Sequence, residues 1–230
     1  MPDTWRNALS RYWYPVNLRT YHRAREFPGF FEHVIQGDRE STISFEDHFR
    51  ERAPVSIAAY LEVAYWKLYS QPPRRQKGTD RIADAMSQRS IQPQRIWQEI
   101  GSFVANPSMT GLEDIRRLIG ITSPVLALAL TFPALAAPQE LPMVDRQVAE
   151  WVTNNHVAHN KGRQYSLLPF NMRGTSLQDN DFRSYLHWVL WCRETAQVLS
   201  GLTGVGWRPR DVEMAVFTAQ RSGMPLDVLP

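Results

Sequence analysis

The sequence predicts a mainly α-helical fold, and three observations support this prediction. Most segments between the Pro and Gly residues carry apolar side chains at helical spacing, and alternating strand patterns are scarce. Hydrophobic residues make up 43% of the 230 residues, which is enough apolar surface to build a core. The sequence shows no internal repeat and no low-complexity tract. We therefore expect one ordinary helical domain, or two small lobes that share a core.

Two helix patterns stand out in the first half of the chain. Residues 55–70 place an apolar stripe along one face and are followed by Pro72 and Pro73, so we expect a helix that stops there. Residues 112–119 also share an apolar face, and Gly120 follows as a natural C-terminal end. Both patterns predict helices that pack on a core.

The second half of the chain continues this pattern. Residues 124–131 are almost wholly apolar and are followed by Pro133, so they predict a short buried helix that ends before this proline. Asp145 precedes another helical pattern and is a candidate N-cap. The remaining elements that the sequence predicts are helices at 145–153, 180–200 and 209–221, and a long connecting loop at 159–178.

The cysteine count and the hydropathy pattern exclude several classes of protein. Cys192 is the only cysteine, so the chain has no internal disulfide and cannot supply a four-cysteine zinc or iron–sulfur site. No run approaches the roughly 18 apolar residues of a membrane span, and the first twenty residues lack the apolar region of a signal peptide. We expect a cytoplasmic protein, associated with the nucleoid in a prokaryote, that has no membrane partner.

The charge is segregated along the chain although its total is only +3. Residues 1–25 contain five arginines against Asp3, and residues 74–95 carry a second basic cluster. The chain has only three lysines, so its cationic chemistry belongs to arginine, whose planar fork suits phosphate and base edges. This pattern is compatible with a nucleic-acid partner, and equally with ordinary solvated surface charge.

Residues 112–145 carry the pattern that points most clearly to chemistry. A helix leads into the tight turn at Gly120, Ile121 and Thr122, a buried helix follows, and a proline-rich link leads to Asp145 at the start of the next helix. A turn of this kind presents backbone N–H groups near a helix N-terminus, where a phosphate can bind. The link then returns the chain and brings a carboxylate to a helix start.

This segment resembles the helix-hairpin-helix (HhH-GPD) DNA glycosylase superfamily, which has a glycine-containing hairpin turn, a Gly/Pro-rich link and a catalytic aspartate at a helix start. The interval from Gly120 to Asp145 is close to the spacing in that family. The resemblance implies a two-lobed helical fold with a cleft between the lobes, which we place at 55–153 and at 1–54 plus 154–230. It also implies that Asp145 is catalytic. The residues it assigns to DNA binding are Gly120, Thr122 and Ser123.

Two departures from the family pattern refine this expectation. Thr122 stands where the family usually has a second glycine, and Pro124 stands where bifunctional members carry a lysine nucleophile. The resemblance therefore implies a monofunctional enzyme that activates water. Its expected partner is double-stranded DNA with a modified or mismatched base. Oxidised guanine is the preferred base, because the looser likeness at both chain ends is to the oxoguanine group, while alkylated purines and mismatched thymine or uracil remain open.

Four further residues are candidates for the site. Glu62 and Trp66 share one face of the helix at 55–70; in adenine-removing members a glutamate of the corresponding helix acts as the acid, and Trp66 would line the base pocket. Lys67 has aromatic neighbours, and burial there would make it nucleophilic, whereas a lysine that extends to solvent would be inert. Phe217 corresponds to the aromatic that the last helix of the family often adds to the pocket. For each residue the alternative is an ordinary packing or surface role.

Two other classes of function compete with the enzyme. The first is a helix-hairpin-helix protein that binds DNA without catalysis, in which Asp145 only caps its helix. The second is an unrelated helical interaction domain. We expect no cofactor and no metal, because His156 and His159 have no carboxylate or cysteine near them in the sequence. We expect the chain to act as a monomer.

Overall fold

The computed structural model describes residues 2–122, 126–172 and 177–229. The mainly helical prediction is confirmed, since these residues form α-helices and short 3₁₀ turns and contain no strand. None of the helices described is long and apolar enough to span a bilayer. The α-helices are α1 (Pro2–Ser10), α2 (Arg39–Arg52), α3 (Ile57–Lys67), α4 (Pro72–Gln88), α5 (Pro93–Ala105), α6 (Met109–Ile119), α7 (Leu126–Ala136), α8 (Arg146–His159), α9 (Phe182–Thr203) and α10 (Pro209–Ser222).

The chain divides into two compact units. The central unit comprises Tyr14–Ser123 and Leu128–Ala136. The terminal unit comprises Met1–Trp13, Pro124–Ala127 and Ala137–Pro230. These bounds differ from the lobes expected from the sequence, since residues 14–54 group with the central helices and residues 137–153 group with the C-terminal half.

The core of the central unit forms around α3. Every residue from Ala58 to Trp66 is buried, because this helix is apolar over most of its circumference and other elements pack on all its sides. Phe49 from α2 and Phe132 from α7 both pack on Tyr60, with ring centroids 5.6 and 6.1 Å from it. Aromatic side chains from three helices therefore meet in this core.

Two prolines separate α3 from α4. The prediction that this helix ends before the two prolines is confirmed, since α3 ends at Lys67, ahead of Pro72 and Pro73. These prolines also open α4, because the first turn of a helix does not use the N–H group that proline lacks. No helix was predicted for the residues of α4. Only four of its residues are buried, so its apolar pattern is weak: Thr79, Ile82, Ala83 and Met86.

The end predicted for the buried helix is wrong. This helix was expected over residues 124–131 with its end before Pro133, but α7 runs from Leu126 to Ala136 and contains the proline. Pro133 removes one backbone hydrogen bond, yet Ala134 and Leu135 beyond it are fully buried, and their burial stabilises the continued helix. The predicted start lies outside the described residues, since Ser123, Pro124 and Val125 are not among them.

The terminal unit has an aromatic core. Trp151 from α8 and Trp5 from α1 both pack on Trp191 from α9, with ring centroids 6.0 and 6.2 Å from it. Trp188 stacks on the same ring at 5.6 Å, and Cys192, which follows Trp191 in the chain, is fully buried. Tryptophans from three helices thus hold the unit together.

Candidate functional site

Asp145 is the N-cap of α8. Its backbone is extended, at φ −141° and ψ −172°, and one carboxylate oxygen accepts a 3.0 Å hydrogen bond from the backbone N–H of Val148. The residue is half-buried. Among the described residues, no other group donates a hydrogen bond to this carboxylate. One oxygen therefore holds the helix start, and the other accepts no hydrogen bond from the described residues.

The backbone that leads into Asp145 is held by α9. The hydroxyl of Tyr185 donates to the carbonyl of Pro142 at 3.3 Å, and the indole N–H of Trp188 donates to the carbonyl of Met143 at 2.9 Å. Both aromatic side chains are fully buried, and so is Val144. The carboxylate therefore projects from a segment whose position is set by core packing, as a site that needs exact placement requires.

Two other aspartates near helix starts in the terminal unit have a different environment. Asp211 in the first turn of α10 is fully buried and accepts from both the backbone N–H and the guanidinium of Arg208. Asp181, just before α9, is 1% exposed and accepts from the backbone N–H groups of Asn171 and Gln178. Both carboxylates are occupied by structural contacts, whereas Asp145 is only half-buried.

Glu62 lies inside the central unit with a guanidinium and an imidazole as partners. Its side chain is 1% exposed and accepts hydrogen bonds of 2.8 and 3.0 Å from the guanidinium of Arg52. The imidazole Nε2 of His48 lies 3.3 Å from the same carboxylate. Burial raises the pKa of Glu62, and the charges and hydrogen bonds of His48 and Arg52 oppose this rise. The carboxylate is thus a buried, partnered group.

The partners of Glu62 were not found by the sequence analysis. His48 and Arg52 are one turn apart on α2, which is a spacing that could have indicated a shared face. His33 comes from the loop before α2 and stacks on His48, with ring centroids 4.7 Å apart. Burial, together with the nearby His48 and Arg52, lowers the pKa of His33 to about 4. No local pattern places this loop histidine in the cluster.

The remaining aromatic and basic candidates occupy packed positions. Trp66 is 2% exposed and packs between Tyr14 and Phe45, with ring centroids 5.3 and 5.5 Å away. Lys67 is half-buried at the end of α3. Phe217 is 6% exposed, and its ring lies 5.9 Å from that of Tyr12 in the core of the terminal unit. Trp66 and Phe217 thus have the core role that the sequence offered as the alternative, and their role in a base pocket stays a prediction.

The turn at the end of α6 is a left-handed glycine C-cap. Gly120 has φ +84°, a left-handed conformation that favours glycine, and its N–H donates to the carbonyl of Arg116 at 2.9 Å. The N–H of Ile121 donates to the same carbonyl, which ends the helix sharply. Thr122 follows and is exposed. Ser123, the third residue expected to bind DNA, lies outside the described residues.

The candidate residues fall in both units. Gly120, Thr122, Glu62, Trp66 and Lys67 belong to the central unit. Asp145 and Phe217 belong to the terminal unit. Within the described parts of the chain, no group of three or more His, Cys, Asp and Glu side chains is arranged to hold a metal ion.

Comparisons with protein-family models, with curated proteins and with solved structures give no match.

Proposed function

We propose that this chain is a monofunctional DNA glycosylase, which hydrolyses the bond between a damaged or mismatched base and its deoxyribose, with Asp145 as the catalytic carboxylate. The observation that carries the proposal is the environment of the Asp145 carboxylate. It is a half-buried N-cap with one oxygen bonded to Val148 and the other uncommitted, on a segment held by Tyr185 and Trp188. The left-handed turn at Gly120, ahead of it in the chain, supports the same assignment.

A carboxylate with one uncommitted oxygen suits the hydrolysis of a base–sugar bond. As the bond between the sugar C1′ and the base nitrogen breaks, the base leaves with the electron pair and positive charge develops on the sugar, as in glycoside hydrolysis. The negative charge of Asp145 stabilises that charge. Its uncommitted oxygen accepts a proton from the water that adds to C1′, and the departing base takes a proton from solvent. The products are the free base and an abasic sugar.

The base must leave the stack before this reaction. Extruding it costs a few kcal/mol, least when it is damaged or mismatched, and this difference favours damaged sites. Oxidised guanine is the base that we propose first, with alkylated purines and mismatched thymine or uracil as the other substrates to be tried. The roles at the base that the resemblance implies for Glu62, Trp66 and Phe217 stay predictions.

The absence of a lyase step follows from the sequence of the hairpin. Pro124 stands where bifunctional members carry their lysine, so no amine is available there to form a Schiff base. Lys67 is the alternative amine. It lies at the end of α3 in an aromatic setting, and the experiment below includes it.

A panel of duplexes that each carry one modified or mismatched base tests the proposal. The duplexes are incubated with the protein and then treated with or without alkali. We expect strand cleavage for at least one duplex, and only after alkali, because hydrolysis leaves an abasic site intact. Cleavage without alkali, with borohydride trapping that is lost in Lys67→Ala, would replace the monofunctional mechanism with a lyase.

A protein that binds DNA without catalysis is the second candidate. It is favoured by the hydrogen bond from Val148, because capping alone explains an aspartate at this position. Binding to duplex DNA without release of any base in the panel would identify it.

A further inference from the structure

A ridge of α4 carries residues at four-residue spacing: Lys77, Arg81, Ala85 and Arg89. Each step rises about 6 Å and turns about 40° around the helix, so the row extends about 18 Å along the axis and winds about a third of the way around it. Arg89 is the C-cap of α4, and all three cationic members are exposed. The row therefore presents three cations to solvent along one ridge.

The Gly120 turn lies against this row. A Cβ atom built on Gly120 would lie 2.4 Å from the Cβ of Ala85, the third member. At the end of the row, the guanidinium of Arg89 donates a 2.6 Å hydrogen bond to the carbonyl of Arg117 in α6. The cationic row and the hairpin turn thus form one continuous surface within the central unit.

The carboxylates near the row contact other residues. Asp84 pairs with Arg23 at 2.7 Å, and Asp80 accepts a 3.1 Å hydrogen bond from the hydroxyl of Tyr21. Within the described ranges, no carboxylate forms an ion pair with Lys77 or Arg81. The charge of these two side chains is therefore available to an anion from outside the protein.

We propose that Lys77, Arg81 and Arg89 bind phosphates of one strand of duplex DNA along α4, beside the Gly120 turn. A DNA strand carries one phosphate for about 3.4 Å of helix axis, so a row of about 18 Å can face several of them. The inference rests on the proposed function for its choice of duplex DNA as the partner. It does not need Asp145 to be catalytic.

The test compares two double variants that remove the same total charge. The row variant, Lys77→Ala with Arg81→Ala, removes two of the three cations of the row. The control variant is Lys161→Ala with Arg183→Ala. It removes two exposed cations of the terminal unit that form no ion pair with the described residues. Affinity for an undamaged duplex is measured by fluorescence anisotropy between 50 and 200 mM salt. All four substituted side chains are exposed, so thermal melting should confirm that both variants fold.

The two variants have different expected results. Loss of two phosphate contacts should weaken binding about tenfold at low salt and make the slope of log K against log salt less steep by about 1.8. The control should bind within about twofold of the wild type. Equal loss in both variants, or no loss in the row variant, would overturn the proposal. So would a row variant that loses affinity for duplex RNA or for anionic vesicles while its DNA affinity stays unchanged.

Failure of the glycosylase proposal and failure of the phosphate-row proposal give different results. If the wild type releases no base but the row variant shows the expected change in salt slope, the phosphate row is supported and the glycosylase assignment is wrong. If the wild type releases a base through Asp145 but the row variant has an unchanged slope, the glycosylase assignment is supported and the phosphate row is wrong.

Discussion

Gly120 and Ala85 approach so closely that no side chain fits between them, since a Cβ atom on Gly120 would lie 2.4 Å from the Cβ of Ala85. The same glycine has φ +84°, which L side chains rarely adopt. Conformation and packing therefore both require glycine at this turn. The relationship also sets the position of α6 and the hairpin turn against α4, so it links the two parts of the surface for which we propose phosphate binding.

Substituting alanine at Gly120 should destabilise the protein by about 2–5 kcal/mol. A left-handed backbone accounts for about 1–2 kcal/mol, and overpacking against Ala85 adds about 1–3 kcal/mol. Urea denaturation measures the free energy of unfolding. Adding Ala85→Gly relieves only the packing part, so the double variant should be less destabilised than the sum of the single variants. Additive losses would show that the close contact has no energetic effect.

Replacing Arg52 with methionine should destabilise the protein by about 3–5 kcal/mol. The substitution leaves the charge of Glu62 buried without its strongest hydrogen-bond donor. Neutralising that charge with Glu62→Gln in the same chain should recover part of the loss. The free energies of unfolding of the two single variants and the double variant form a cycle that isolates the interaction. If the Arg52 variant loses less than about 1 kcal/mol of unfolding free energy, the pair of Arg52 and Glu62 does not stabilise the fold.

His159 should make the protein less stable as the pH falls. Burial, and to a smaller extent the charge of Arg163, lowers the pKa of His159 to about 4 in the folded chain, against about 6.5 when unfolded. Between these values the unfolded chain binds more protons, so the free energy of unfolding falls as the pH drops from about 6.5 to about 4. The full effect is on the order of 3 kcal/mol.

The variant His159→Phe isolates this effect. Its aromatic ring keeps the packing on Trp151, whose ring centroid lies 4.8 Å from that of His159. The difference in the free energy of unfolding between wild type and variant should change across pH 4–6.5 and stay constant above about pH 7. A difference that is constant over the whole range would contradict the lowered pKa. His33 titrates in both proteins, so its contribution cancels.

The elements with the strongest apolar patterns were predictable from the sequence. The apolar spacing of residues 55–70 and 112–119 predicted α3 and α6 because that spacing reflects burial. Asp145 was predicted as a helix cap from its residue type and its place before a helical pattern. By contrast, α4 begins at two prolines and is strongly basic, so its short buried stripe gave little signal. The helix end predicted before Pro133 was wrong because the burial of α7 outweighs one lost hydrogen bond.

The contacts of the candidate residues were less predictable than the helices. Glu62 was found because of its place on α3, but its partner His48 lies on another helix, and His33 comes from a loop. Such contacts depend on tertiary packing, which no local spacing encodes. The basic character of residues 74–95 was visible in the sequence, whereas the position of the Gly120 turn against Ala85 required the structure.

The most direct test of the central claim is the single-turnover rate of base release by Asp145→Asn, compared with Asp38→Asn. Asn is as good an N-cap as Asp, so both variants should fold. Asp38 is a matched control because it caps α2 in the same way, accepting from the N–H of Ser41 at 2.8 Å. We expect the Asp145 variant to lose at least about 100-fold in rate while it binds duplex DNA as tightly as the wild type, and the Asp38 variant to be unchanged. Base release at the wild-type rate by Asp145→Asn would contradict the account.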